Sequence, residues 1–317
     1  MKVHAKSSYI SLGKPRVVAV VGPTSSGKTA LGIYLAQKLR GEVISADSRQ
    51  VYKGLNIGAG KVTKKEMTGI PHHLLDIASP KRVFSADDFK KLGERAITMI
   101  YHSKKIPIVV GGTGLYADVL LGRMALPEVP PNPKLRAKLE AKSVAELYAL
   151  LLKKDPERAN NIEPNHKRRL VRALEIADAL GKSPAKASAM DAAGSVYDVL
   201  WLGLNPPQKI LHKKIVQRLH ARLKAGMVAE AKKLHAGGLS YKRMEALGLE
   251  YRYLARILKS RRAPSADKAA EGALLQKLER EIMHYAKRQL RWFKRNPSIV
   301  WVKNKSEALK LSKEFLK

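Results

Sequence analysis

The chain has 317 residues, enough for one large or two modest domains with a real core. It has no cysteine, which excludes a disulfide framework and thiolate metal sites; no apolar run approaches a membrane span, and residues 1–13 lack the apolar stretch of a signal peptide, so a cytoplasmic protein without membrane contact is expected. Its 61 Lys+Arg against 27 Asp+Glu give a formal charge of +34, spread along the chain, which points to a polyanionic partner unless the whole proteome is basic.

Residues 16–21, RVVAVV, read as a buried strand. They run into Gly22, Pro23, Thr24, Ser25, Ser26, Gly27, Lys28 and Thr29, which fit G-x-x-x-x-G-K-[ST]. In such a loop, backbone N–H groups and a helix N-terminus surround a phosphate chain, the lysine neutralises charge and the Thr29 hydroxyl can hold Mg²⁺. Ala30, Leu31, Ile33, Leu35, Ala36 and Leu39 follow at helical spacing, so both flanks suit the motif; a Gly-rich turn without ligand is the alternative. Residues 42–46 form a second short strand that delivers Asp47, Ser48, Arg49 and Gln50 at its C-terminal end, which faces the ligand crevice in a parallel sheet. Asp47 is there a base, a metal partner or a turn cap.

Residues 54–69 read as a loop whose Lys61, Lys64 and Lys65 are solvated or touch phosphate. The adjacent His72 and His73 point apart in any regular element, which favours structural roles over a metal pair. Ser85 caps a helix running to about residue 102. Residues 106–110 are a third buried strand, followed by Gly111-Gly112-Thr113-Gly114. An ATPase or GTPase ends such a strand with an Asp supporting Mg²⁺ and water; glycine here argues against nucleotide hydrolysis.

From about residue 124 the pattern changes. Four prolines between 127 and 133 mark a linker, and residues 135–152 and 164–180 read as helices. In the second, Leu170, Ala173, Leu174, Ile176, Ala177 and Leu180 make an apolar stripe, while Lys167, Arg168, Arg169 and Arg172 crowd its start, where cations oppose the macrodipole unless an anion docks. Residues 184–195 look loose, and 196–204 return to strand. Residues 124–194 are thus expected to be a helical insertion in a core made of 1–123 and 195–317. Residues 209–235 read as one long helix, with Leu211, Ile215, Leu219 and Leu223 stepping by four and Arg218 and Arg222 beside them as surface cations or phosphate forks. Residues 254–278 are basic and partly helical. Residues 281–294 mix cations with Tyr285, Trp292 and Phe293, a combination suited to RNA or to a core, before a last strand at 299–302 and a closing helix at 306–316.

The stretches GPTSSGKTALG, ISADSRQVYKGLNIGAGK, IPHHLLDI, FSADDF, IPIVVGGTGLY, IEPNHKRRLVRALEI and AKRQLRWFKR, in order from residue 22 to 295, together resemble the tRNA dimethylallyltransferases. The resemblance implies an α/β P-loop fold, a parallel sheet with helices on both faces and an inserted helical domain. It implies transfer of a dimethylallyl group from dimethylallyl diphosphate to N6 of adenosine 37 in the tRNA anticodon loop, by a monomer. By the same resemblance residues 22–29 hold the diphosphate, Thr29 its Mg²⁺, and Lys28 and Arg218 the leaving group, while Asp47 takes the amine proton. Asp47, Ser48, Arg49, Gln50, Thr113, Arg136, Lys167, Arg168, Arg169, Leu170, Val171, Glu245, Ala246, Leu247 and Gly248 match tRNA-contacting segments. Two places depart from the family's pattern: Ala246-Leu247-Gly248-Leu249, where Tyr is common in the last position, and Ile282-Met283-His284, where Thr-Arg-Gln is common. A P-loop kinase and a non-enzymatic RNA-binding protein are the competing readings.

Overall fold

The computed structural model describes residues 13–181, 195–260 and 268–317, with side chains of the last segment described from residue 272 onward. Strand β1 (Arg16–Val21) carries an unbroken apolar run, and Val17 to Val21 are fully buried, as a parallel strand covered on both faces requires. It is followed by α1 (Lys28–Leu39), β2 (Gly41–Ser45), the single turn α2 (Lys64–Met67), β3 (His72–His73), α3 (Ala86–His102), β4 (Ile106–Gly111) and α4 (Gly114–Leu120). After an excursion the chain returns as β5 (Asp198–Gly203), then β6 (Ile299–Trp301) near its end, and all six strands pair in parallel in the order β3-β2-β4-β1-β5-β6. This is the doubly wound arrangement expected, with helices on both faces. Val18 and Val20 pack with Leu31, Leu35 and Ala36 of α1 on one side. Val17, Ala19 and Val21 meet Phe89, Ile97 and Ile100 of α3 on the other.

The chain divides into two compact units, residues 1–121 with 196–317, and Gly122–Ser195. The second unit holds α5 (Pro133–Glu140), α6 (Val144–Lys154), α7 (Pro156–Asn160) and α8 (Lys167–Leu180). The single helix expected over 135–152 is two, because Ser143 and Glu146 form a reciprocal capping box that starts a new helix. The helix expected from residue 164 begins at Lys167, and Leu180, expected in its stripe, is exposed at the end. Leu139, Leu147, Leu151, Leu170, Val171 and Leu174 form this unit's core. Residues 182–194, with most of the stretch expected to be loose, lie outside the described residues.

Between β5 and β6 the first unit carries α9 (Gln208–Lys224), α10 (Met227–Ala236), α11 (Tyr241–Leu247), α12 (Leu249–Ser260) and α13 (Lys268–Phe293), and α14 (Lys305–Leu316) closes the chain. The long helix expected over 209–235 breaks at Gly226, whose φ of 95° an L side chain resists. Leu211, Ile215 and Leu219 of α9 pack against Tyr251, Leu254, Ile282 and the loop residues Val51, Tyr52 and Leu55. Among the described residues no helix is long and apolar enough to cross a membrane.

Candidate active site

The phosphate loop joins the buried end of β1 to α1. Gly27 is the N-cap of α1, in left-handed conformation, and no side chain caps the helix, so its first amides are available to a ligand. Ser26 Oγ is buried in the same loop without a hydrogen-bond partner. A buried hydroxyl and uncapped amides at a helix start suit a phosphoryl oxygen, which would satisfy both. Lys28 Nζ donates to Pro23 O at 3.1 Å. Burial brings this amine down to about 8, against the pull of Asp47, and the nearby Arg218 and Arg222 lower it further.

Asp47 follows β2 and faces the loop. Its Oδ1 accepts from the backbone N–H of Arg49 at 2.9 Å and of Gln50 at 3.3 Å, so the turn-cap reading holds. Oδ2 takes no part in that turn, which leaves it to an incoming donor. Thr113 fastens the turn from the β4 side: its Oγ1 accepts from Ser48 N at 3.0 Å, and its amide donates to Ala46 O. The glycine that ends β4 has its own explanation, since a Cβ on Gly111 would collide with Ala46 O.

Helix α9 supplies the opposite wall. Arg218 Nη2 donates to Gly60 O at 3.1 Å, and Arg222 Nη1 to Glu250 Oε1 at 3.1 Å. Burial and the neighbouring Arg222 hold the Arg218 guanidinium down to about 10, with Glu250 and Asp47 opposing. A Cβ on Gly60 would overlap both guanidinium groups, so the Gly-Ala-Gly loop is what admits the pair. Thr24, Lys28, Thr29, Asp47, Arg218 and Arg222 line one cavity, with Val43, Val62, Val110 and Ile282 as apolar walls. Phosphate-binding charge, two carboxylates, Asp47 and the Arg222-paired Glu250, and hydrocarbon-lined space therefore share a single crevice at the strand ends. A hard cation such as Mg²⁺ fits the donors present. It needs few protein oxygens beside those of a substrate phosphate, and Thr29 and Asp47 both reach this cavity. Among the described residues no group of three His, Cys, Asp or Glu forms an all-protein metal cage.

Sequence reasoning gave no role to Gln289, which is buried on α13. Its Oε1 accepts from Thr24 N at 2.8 Å, and its Nε2 donates to Gly112 O at 2.7 Å, tying the phosphate loop to the β4 turn. Its spacing from Tyr285 and Trp292 puts all three on one helix face, which was the available signal. Tyr285 lines the cavity with Arg49 over its ring at 5.4 Å, Trp292 Nε1 donates to Asp118 at 2.8 Å, and Phe293 is core. Lys61, read as solvated or on phosphate, is engaged by Tyr52 O, Asn56 and Asp76. The two histidines point apart: His73 Nε2 bonds Glu42, whereas His72 bonds Ile70 O through Nδ1, lines the cavity and leaves its buried Nε2 without a partner.

In the insertion, Leu170 and Val171 are buried, so their side chains pack inward while the exposed Arg168 and Arg169 face solvent. Arg136 makes a two-pronged pair with buried Glu175, both contacts at 2.7 Å.

The family model for IPP transferase matches residues 50–296. The chain belongs to the IPP transferase family. It is 38% identical over 309 residues to tRNA dimethylallyltransferase 2 of Citrifermentans bemidjiense, an alignment covering 95% of each chain. Its fold matches the full-length tRNA isopentenylpyrophosphate transferase of Bacillus halodurans with a TM-score of 0.68 and 33% identity over 96% of both chains. A eukaryotic dimethylallyltransferase acting on tRNA matches with a TM-score of 0.79 and 26% identity, over 95% of this chain and 79% of that one. In this IPP transferase, Glu245 pairs with Lys259 at 2.7 Å, Ala246 is exposed and Leu247 is buried. Gly248, after α11, and Leu249, the first residue of α12, both adopt positive φ, and Leu249 enters the cavity wall. At the other departure, Ile282 is buried in the cavity wall and His284 is exposed beside Glu281.

Proposed function

We propose that the chain transfers the dimethylallyl group of dimethylallyl diphosphate to N6 of adenosine 37 in the tRNA anticodon loop and releases diphosphate. The observation that carries this reading is the meeting of Lys28, Arg218 and Asp47 in one partly apolar crevice, in a chain that belongs to the IPP transferase family. The C1–O bond of an allylic diphosphate breaks readily once the departing oxygens are neutralised, a task suited to Lys28, Arg218 and the loop amides. Mg²⁺, held by Thr29 and diphosphate oxygens, would add further neutralisation there. As C1 bonds to the exocyclic nitrogen, that nitrogen loses a proton, and Asp47 Oδ2 is the acceptor we assign. The acceptor base has to leave its stack, which costs a few kcal/mol, less in an already unpaired loop. Ser48, Arg49, Gln50 and Thr113 on the strand-end turns and residues 245–248 at the end of α11 are suited to receive it, and Lys167, Arg168 and Arg169 suit phosphate on the insertion. The reaction belongs in the cytoplasm with tRNA, and one copy of the chain supplies every side chain named.

Mass spectrometry of an anticodon stem-loop incubated with dimethylallyl diphosphate and Mg²⁺ tests the reading: the RNA should gain the isopentenyl mass. RNA left unchanged while ATP is consumed and phosphate appears on another molecule would replace it with the kinase reading.

A further inference from the structure

The loop that admits Arg218 and Arg222 is held from behind by a carboxylate that does not itself line the cavity. Three successive amides, Asn56, Ile57 and Gly58, point at Glu230 of α10: Oε2 accepts from Asn56 N at 3.0 Å and Ile57 N at 2.7 Å, and Oε1 from Gly58 N at 3.0 Å. Three consecutive N–H groups of this kind form a concave anion site. Here the chain fills it with its own side chain. The Tyr251 hydroxyl donates to Oε1 at 2.8 Å, which fixes the carboxylate, and Tyr251 is fully buried. On its far side the same loop turns its carbonyls toward the crevice. Gly60 O accepts from Arg218 and from Gln50 Nε2, and Gly58 O from Arg222 at 3.5 Å.

We infer that Glu230 is a positioning residue for the leaving-group arginines: by holding the amides of residues 56–58 it fixes the carbonyls of Gly58 and Gly60 that aim Arg218 and Arg222 at the diphosphate. Two mutually repelling guanidinium groups need fixed acceptors to share one crevice; Arg222 has the Glu250 carboxylate as well as Gly58 O, while for Arg218 the neutral carbonyl of Gly60 provides one without cancelling the charge. A glutamine in place of Glu230 presents an NH₂ to backbone N–H groups on one side, so the loop cannot keep all three bonds. The inference rests on the proposed diphosphate site, and its test reads diphosphate binding directly, without prenyl transfer.

Affinity for inorganic diphosphate with Mg²⁺ is measured for the whole protein, for Glu230→Gln, for Arg218→Ala and for the double variant. Glu230→Gln should weaken binding about tenfold and leave affinity for the anticodon stem-loop within about twofold. In the Arg218→Ala background the same change should matter about twofold or less, because most of its effect passes through that arginine and only the longer Arg222 contact with Gly58 O is left. An equal loss in both backgrounds, or no loss, overturns the inference while leaving the site reading intact. A wild-type protein that does not bind diphosphate overturns the site reading instead. Should Glu230→Gln fail to fold, Tyr251→Phe, which keeps the carboxylate and removes its fixing bond, is expected to give a smaller loss, about threefold, that likewise shrinks with Arg218→Ala; an undiminished loss in that background refutes the coupling.

Discussion

Gln289→Met removes two hydrogen bonds at nearly constant volume, and the structure sets the size of the effect. Gly112 is buried, so its carbonyl loses the 2.7 Å bond from Gln289 Nε2 with no solvent to replace it, a cost of about 1–3 kcal/mol. Thr24 is only half-buried, and its amide, released from Oε1, recovers part of its loss to water, so about 1 kcal/mol is expected there. The sum is roughly 2–4 kcal/mol, a large share of the stability of an ordinary domain. Urea denaturation followed by circular dichroism should show a lower midpoint at an unchanged slope. Because both bonds hold the phosphate loop and the β4 turn to α13, diphosphate affinity should fall in the same variant, measured under conditions where it is fully folded. A stability loss below about 1 kcal/mol together with unaltered diphosphate affinity would refute the view that Gln289 braces the site.

Asp47→Asn keeps an oxygen for the amides of Arg49 and Gln50, so the turn and RNA affinity should survive while single-turnover prenyl transfer drops by at least about a hundredfold; transfer at the normal rate would exclude Asp47 as the proton acceptor. Lys28, held down to about 8 in the protein, is charged below that pH and loses its proton above it. Diphosphate affinity should therefore decline as pH rises through about 8, with proton uptake on binding detectable by calorimetry in buffers of different ionisation heat, and Lys28→Met should abolish the uptake; a pH-independent affinity contradicts the placement. Replacing Lys167 and Arg168 together by glutamine should weaken tRNA binding and reduce the slope of log K against log salt by roughly 1.4–1.8, from about 0.7–0.9 per phosphate contact. An unaltered slope would mean that the RNA docks elsewhere.

The half of the site that local pattern governs was legible in the sequence. A run of valines, a phosphate-loop spacing and an apolar helix stripe are each written within a few residues, and the strand-end rule put Asp47 beside them. The other half depends on pairs far apart in the chain. Gln289 meets Thr24 across 265 positions and Glu230 meets Asn56 across 174, and no periodicity carries that information. Helix limits failed for a different reason. Leu211, Ile215 and Leu219 continue the apolar stripe toward Gly226, and a period cannot show where the backbone turns; Gly226 does. The capping box of Ser143 and Glu146, by contrast, is a local signal at S-x-x-E spacing, and it starts a new helix inside a stretch whose leucines alone read as continuous.

Arginines at three places show why residue type alone does not identify a phosphate site. Arg136 is held by both oxygens of Glu175, a carboxylate on which Arg172 and the Asn132 amide also converge, so its charge is matched inside the insertion and works there as a structural tie. Arg218 is bonded to Gly60 O, a neutral carbonyl, and Lys28 to Pro23 O, another. Such partners orient a cation without neutralising it. Burial, and after it the neighbouring cations of the crevice, lower the affinity of both groups for their protons, against the opposing pull of Asp47. Positive potential kept in place before the reaction is what a departing diphosphate requires, because no side chain then has to reorganise as the C–O bond lengthens. Arg222 lies between these cases, shared between Glu250 and the carbonyl of Gly58, and by that measure contributes less to the leaving group than Arg218 does.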